Sequence, residues 1–180
     1  MKHKKIAIFI TFGMISAGFI AGAITFFQLK TMNNSPEQDP PLLTQIKTEN
    51  PQLIFFQEKG VAIKGIDPVA YFLERQAVKG QEEFSYRWEN TTWWFKSAEN
   101  RDLFIQEPTK YAPQYGGFCA WAVSNNYTAP IDPEAWSIVD NKLYLNYNKR
   151  IQKRWSKNIE SHITKGNYHW PQILESLQKQ

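Results

Sequence analysis

The chain has 180 residues, of which 21 are Lys or Arg and 17 are Asp or Glu, and its formal net charge at pH 7 is +4. Lysines at positions 2, 4, 5 and 30 account for the whole excess, because no acidic residue precedes Glu37. The positive charge therefore marks the N-terminus and does not indicate a nucleic-acid-binding protein. A single cysteine in the whole chain excludes an intrachain disulfide.

An uncharged stretch, residues 6–29, follows the basic residues 1–5 and ends at Lys30. As a helix it would be roughly 36 Å long, enough to cross a hydrocarbon core of about 30 Å with some tilt. Ala21-Gly22-Ala23 matches the cleavage pattern of a secretory signal peptide, which is the alternative interpretation. Because the apolar run continues to Phe27, beyond that site, the pattern favours an uncleaved transmembrane anchor.

The position of the positive flank predicts the topology of the chain. Residues 1–5 should stay in the cytoplasm, so the protein is expected in the inner (cytoplasmic) membrane, with its domain in the periplasm or outside the cell. Gly18 and Gly22 have the spacing that lets two spans approach closely, which would permit a homodimer. Proline and asparagine residues within residues 30–50 disfavour regular secondary structure, so we interpret this segment as a linker. Residues 51–177 then form one ordinary domain.

The first half of this domain is predicted to contain a strand and an aromatic hairpin. Residues 61–63 form a short apolar strand, and a turn around Asp67 leads into a second apolar run. Aromatic and polar residues then alternate over 84–88, which is the period of a half-buried strand. Glu89-Asn90 is a plausible tight turn into a second strand, residues 91–95.

Helix signals follow the hairpin. Ser97 can cap a helix that should end at Pro108. Gly116-Gly117 is expected to be a loop that enters a second short helix. A second hairpin is predicted at 136–145, with Asp140-Asn141 at its turn, because these residues tolerate a positive φ. Two further helical pieces are predicted, at residues 149–163 and 171–177.

Short strands mixed with short helices indicate an α+β domain of antiparallel hairpins, not a wound parallel sheet. Over residues 61–173 the sequence resembles the YHS family, and in particular bacterial YHS proteins exported behind a signal or an anchor. The resemblance is carried by Asp67-Pro68-Val69, Trp94-Phe95, Ser97, Phe104, Pro108, the run Tyr111-Ala112-Pro113-Gln114-Tyr115-Gly116-Gly117-Phe118-Cys119-Ala120, Asp132-Pro133, Leu143-Tyr144-Leu145-Asn146-Tyr147-Asn148, Trp155 and Trp170-Pro171.

The resemblance also raises the question of metal binding. The family is suspected of binding metal, copper in particular, through cysteines that follow the Asp-Pro-Val triplet and flank the start of the next helix. The corresponding positions in this chain are Ala70, Lys96 and Asn100, none of which is a soft ligand. We therefore expect no metal cofactor at these positions.

Three roles are considered for Cys119. Its thiolate could ligate copper or zinc, with His162 and His169 as the available partners. As a nucleophile it would need a base within hydrogen-bonding distance. The third interpretation is a small buried apolar residue beside Phe118 and Trp121, which we favour.

Other residues are candidates for a ligand site. Gly116 and Gly117, together with Tyr115, could let the backbone approach a ligand closely, although we favour a plain tight turn before a helix. Many of the aromatic residues are expected to build the core. Trp94 is the candidate for an exposed aromatic, because it points away from the side of the strand that carries Trp93.

A basic cluster near the C-terminus is the remaining feature. An apolar stripe with a period of four residues lies opposite much of this charge, which indicates an amphipathic helix. The cluster is either a solvated helix face or a contact for anionic lipid headgroups. Its members are Lys149, Arg150, Lys153, Arg154 and Lys157.

The sequence contains no paired acids, no catalytic triad and no cluster of metal ligands. The leading hypothesis is therefore a membrane-tethered, non-catalytic binding module with an unknown ligand. A copper- or zinc-handling protein centred on Cys119 is the alternative, and a thiol-dependent enzyme is the third hypothesis.

Overall fold

The computed structural model describes residue 52 and residues 54–180. The described residues belong to one compact unit, Lys47–Gln180. The predicted span 6–29, the glycines within it and the linker 30–50 lie outside the described residues. In the described part of the chain, no helix is long and apolar enough to cross a membrane.

A four-stranded sheet opens the domain, with strand order β1-β2-β4-β3. The predicted aromatic hairpin is confirmed as β3 and β4, which pair antiparallel. Its turn residues Glu89 and Asn90 have φ values of 48° and 56°, as a type I′ turn requires. β2 runs parallel to β4 and antiparallel to β1. The strands are β1 (Gln57–Glu58), β2 (Val61–Ala62), β3 (Gln81–Trp88) and β4 (Thr91–Phe95).

Short helices pack beside this sheet. The apolar run after Asp67 is helix α1 (Pro68–Leu73), because Asp67 provides a capping carboxylate and Pro68 a favourable first helical residue. As predicted, Ser97 caps the next helix, α2 (Ala98–Gln106), by accepting the Asn100 N–H at 3.3 Å. Pro108 lies just beyond the end of α2 and starts α3 (Pro108–Tyr111).

The second half of the domain contains a short helix and a two-stranded sheet. Helix α4 (Ala120–Ser124) follows the glycine turn, as the sequence indicates. Strands β5 (Asp132–Val139) and β6 (Lys142–Asn146) form the second predicted hairpin, whose turn residues Asp140 and Asn141 both have positive φ. The α+β class is thereby confirmed for the described residues.

The C-terminal helices differ from the predicted pieces 149–163 and 171–177. Helix α5 (Lys149–Trp155) is followed by a 3-10 turn, and α6 (Ile159–Gln178) then runs without interruption. Pro171 does not start a helix but lies inside α6, where it is exposed and removes only one backbone hydrogen bond. Helix α6 is instead capped at its N-terminus by Asn158, whose side-chain oxygen accepts the Ser161 N–H.

Aromatic side chains build the core, as the sequence analysis favoured. Trp93, Phe95 and Phe104 are almost fully buried and pack with ring centroids 5.1–5.2 Å apart. A second cluster forms around the buried Trp155, whose ring lies 5.3 Å from that of Tyr144. Cys119 belongs to the first cluster and precedes α4, which lies between the two clusters and contributes residues to both.

Candidate functional site

Ala70, Lys96 and Asn100, which the sequence analysis weighed as metal-ligand positions, meet around one buried carboxylate. Asp67 accepts the N–H groups of Val69 and Ala70 on one oxygen, at 2.8 and 3.3 Å. Its other oxygen accepts the Lys96 N–H at 2.9 Å and the Asn100 amide at 2.7 Å. The Lys96 ammonium turns outward to Glu74. Four donors occupy this carboxylate and no thiol is present, so these residues do not fit a soft metal ion.

Cys119 is buried, as the sequence analysis favoured, with about 1% of its surface exposed. The backbone N–H of Tyr147 donates to its sulfur at 3.2 Å, and the sulfur lies 3.9 Å from the Asn146 side-chain oxygen. Burial raises the pKa of the Cys119 thiol, and nearby backbone N–H groups partly offset that effect. The thiol is therefore neutral at physiological pH.

Asn146 links this thiol to helix α4. Cys119, the residue at the N-terminus of α4, makes no side-chain cap. The Asn146 side-chain oxygen caps α4 instead, since it accepts the Trp121 N–H at 3.2 Å from a neighbouring strand. This hydrogen bond fixes the orientation of the amide. The Asn146 side-chain N–H₂ is then fully buried and has no partner within the described residues. A buried donor without a partner costs about 1–3 kcal/mol.

An apolar cavity of about 230 Å³ adjoins Cys119. We call it the Cys119 cavity. The backbone N–H of Cys119 donates to the Ala129 carbonyl at 3.1 Å, which holds the loop before β5 against the cavity. Its lining residues are Cys119, Trp121, Tyr127, Ala129, Tyr147 and Ile151.

Two tyrosines give this cavity an accessible rim. Tyr127 and Tyr147 are 50% and 52% exposed, and they are two of the five large hydrophobic side chains exposed in the described part of the chain. Aromatic side chains that are half exposed beside an apolar cavity are typical of ligand sites, because they provide contact area at a low cost in conformational entropy.

The two candidate histidines are held by other contacts. His162 lies 3.0 Å from the Ser124 hydroxyl through Nδ1 and packs on the Trp121 ring at 4.8 Å. Burial, with the nearby Lys165, lowers the pKa of His162. His169 packs against Tyr168, about two turns further along α6. Across residue 52 and residues 54–180, no group of three or more His, Cys, Asp or Glu side chains could hold a metal ion.

The Tyr115, Gly116 and Gly117 candidates form a left-handed turn, with φ values of 54°, 58° and 75°. The Gly116 carbonyl accepts the Phe56 N–H at 2.7 Å, and a Cβ at Gly116 would lie 2.1 Å from the Ile54 carbonyl oxygen. The turn therefore contacts the segment that leads into β1 and joins it to the second half of the domain. Gly117 is buried in that junction.

Tyr115 itself supports the packing of α6. Its hydroxyl lies 3.1 Å from the Ile163 carbonyl and 3.0 Å from the Asn167 amide oxygen. Tyr115 and Gly116 also line a cleft of about 200 Å³ together with Trp170, which we call the Trp170 cleft. Because Tyr115 is buried and its hydroxyl is used for packing, we regard this cleft as the weaker ligand site.

Trp94 lies on the opposite side of β4 from the buried Trp93 and Phe95, as predicted. It is only half-buried, and the Lys79 ammonium stands 5.4 Å from its ring centre, within range of a cation–π contact. Trp94 lines neither the Cys119 cavity nor the Trp170 cleft. The contact that Trp94 makes with Lys79 is therefore separate from both of these sites.

The basic cluster lies on α5 and the turn that follows it. All five cations are exposed, whereas Trp155 on the same helix is fully buried. The Lys149 ammonium donates to the Glu134 carbonyl. In the part of the chain that the structure describes, none of the five forms a salt bridge.

Several residues at or beside the Cys119 cavity were not singled out as candidate site residues from the sequence. Asn146, whose amide oxygen lies 3.9 Å from the Cys119 sulfur, offered a signal, since it is a polar residue at the end of an apolar strand, where a buried amide needs partners. Tyr127, Ala129 and Ile151 offered none, because only the folded chain brings the loop before β5 beside α5.

Comparison of the chain with protein-family models, with curated proteins and with solved structures found no match.

Proposed function

We propose that the chain is a membrane-tethered binding module of the YHS type, held outside the cytoplasm, and that it binds a small ligand without transforming it. The ligand site is the Cys119 cavity. The observation that carries this proposal is an apolar cavity of about 230 Å³ beneath two half-exposed tyrosines. A dry apolar cavity of about 150 Å³ is already large enough to admit benzene.

The surroundings of Cys119 support binding over thiol chemistry. The polar groups that contact its sulfur are backbone N–H groups, among them that of Tyr147, and the Asn146 amide, and none of these can act as a general base. Burial, which raises the pKa of the thiol, also disfavours a thiolate nucleophile. Cys119 is then a wall of the cavity rather than a reactive group.

The membrane part of the proposal rests on the sequence of residues 1–30. A reporter fused to the C-terminus and extraction of membranes with carbonate would test it. We expect the full chain in the carbonate-resistant fraction and the reporter active only outside the cytoplasm. A soluble product that begins near Ile24 would contradict the anchor, and a cytoplasmic reporter would contradict the orientation.

Elemental analysis combined with native mass spectrometry would test the binding part. We expect a small organic molecule bound to some or all copies of the full chain, at no more than one per chain, and no stoichiometric metal. Copper or zinc at one per chain, lost in Cys119→Ala, would favour the metal-handling hypothesis instead. His162→Ala and His169→Ala would then identify its other ligands.

A further inference from the structure

Two arginines of helix α5 neighbour a residue that lines the Cys119 cavity. Ile151 lines the cavity, and Arg154 lies three residues further on, so the two are neighbours on one helix face. Arg150 lies four residues before Arg154, so the two arginines are also neighbours on the surface of α5. Both arginines are exposed.

This arrangement leaves positive charge uncompensated. Like charges at positions i and i+4 of a helix repel each other. Among the described residues, no acidic side chain forms a salt bridge with Arg150 or Arg154. A carboxylate or phosphate bound between them would remove the repulsion and could accept two parallel N–H bonds from a guanidinium group.

We propose that the Cys119 cavity is a site for an anionic amphiphile. A single ring or a short chain fills the apolar cavity under Tyr127 and Tyr147, and its carboxylate or phosphate group lies on Arg150 and Arg154. This inference rests on the proposed function and adds the chemical class of the ligand. The cavity is smaller than the roughly 300–1,000 Å³ of sites for drug-sized ligands, so it accommodates only one end of such a molecule.

The other cations of the cluster provide an internal control. By the period of the helix, Lys149 and Lys153 lie two residues before and two residues after Ile151, so both face away from it. Replacing Lys149 and Lys153 removes the same charge as replacing Arg150 and Arg154, but on a different face. A bound anion depends on the arginine pair alone, whereas a diffuse electrostatic attraction responds to both pairs.

Calorimetric titration of the full chain with 4-phenylbutyrate would test this proposal, with the chain in phosphatidylcholine nanodiscs and empty nanodiscs as the blank. We expect 4-phenylbutyrate to bind about tenfold or more tightly than the uncharged 4-phenylbutanol. Arg150→Gln with Arg154→Gln should abolish that preference, and Lys149→Gln with Lys153→Gln should preserve it. Ala129→Leu, which fills the cavity, should weaken both ligands. Tyr147→Ala, at the exposed rim, serves the same purpose if Ala129→Leu fails to fold.

The outcomes separate this inference from the proposed function. Equal binding of the acid and the alcohol would overturn the anionic class while leaving a ligand-binding cavity. Binding of neither, or binding that Ala129→Leu and Tyr147→Ala do not affect, would overturn both. Nanodiscs that contain phosphatidylglycerol distinguish the source of the ligand. Competition that requires the two arginines identifies a lipid, and lack of competition identifies a free anion.

Discussion

Replacement of Asp67 by asparagine should destabilise the domain strongly. The Asp67 carboxylate is fully buried and accepts four hydrogen bonds, two on each oxygen. An asparagine can still cap α1 by turning its oxygen to Val69 and Ala70. Its N–H₂ group then faces the Lys96 N–H and the Asn100 amide, so two donors lose their acceptor.

The magnitude follows from those two contacts. Hydrogen bonds to a charged group contribute about 1.5–3 kcal/mol each, so Asp67→Asn should cost about 3–6 kcal/mol. That is a large fraction of the 5–15 kcal/mol that typically separates folded from unfolded states. Urea unfolding of residues 47–180, followed by tryptophan fluorescence, would measure the loss. Asp102→Asn is the matched control, because its side chain is 56% exposed and pairs only with Arg101, and it should cost less than about 0.5 kcal/mol.

A compensating change sharpens this test. Asn100→Asp places an acceptor opposite the new N–H₂ group of Asp67→Asn, so the double variant should be more stable than the sum of the two single losses predicts. We expect a coupling free energy of at least about 1 kcal/mol, which is typical of contacting residues. A cost of Asp67→Asn below about 1 kcal/mol, or strict additivity with Asn100→Asp, would refute the account of this junction.

Three further predictions concern the turn, the thiol and the domain. Gly116→Ala should destabilise the domain more than Gly60→Ala, by about 1–3 kcal/mol in the same unfolding assay. Both glycines have a positive φ, but of the two only Gly116 has a carbonyl oxygen where a Cβ would lie. Equal losses of stability would contradict this contact. Cys119 should react slowly with maleimide in the native chain and rapidly in urea, since it is buried and its pKa is raised, and rapid native labelling would contradict the structural role. Residues 47–180 should unfold in one cooperative transition without the preceding residues, and a broad, non-cooperative melt would count against one autonomous unit.

Local signals were sufficient to predict most of the secondary structure. Alternating aromatics predicted β3 and β4, and the turn residues at 89–90 and 140–141 predicted where both hairpins reverse. These features depend only on neighbours in the chain. The same reasoning was right that residues 171–177 are helical but wrong about where their helix begins, because Pro171 looked like a first helical residue, whereas the packing of α6 outweighs its one missing hydrogen bond.

The candidate site was predicted only in part. Cys119 was recognised from its unusual position as a lone thiol, but the cavity beside it is made by residues distant in sequence, among them Tyr127 and Ile151. The grouping of Ala70, Lys96 and Asn100 around Asp67 likewise depends on three separate elements. Local sequence patterns do not specify which segments approach each other, so the polar partners of these residues were beyond prediction.

A crystal structure of the protein grown with 4-(4-bromophenyl)butyrate would test the central claim most directly, because the anomalous signal locates the bromine. We expect the bromine inside the Cys119 cavity, between Cys119 and the two rim tyrosines, and the carboxylate on Arg150 and Arg154. Bromine in the Trp170 cleft, or no ordered bromine while the Cys119 cavity stays open, would contradict the assignment of the ligand site.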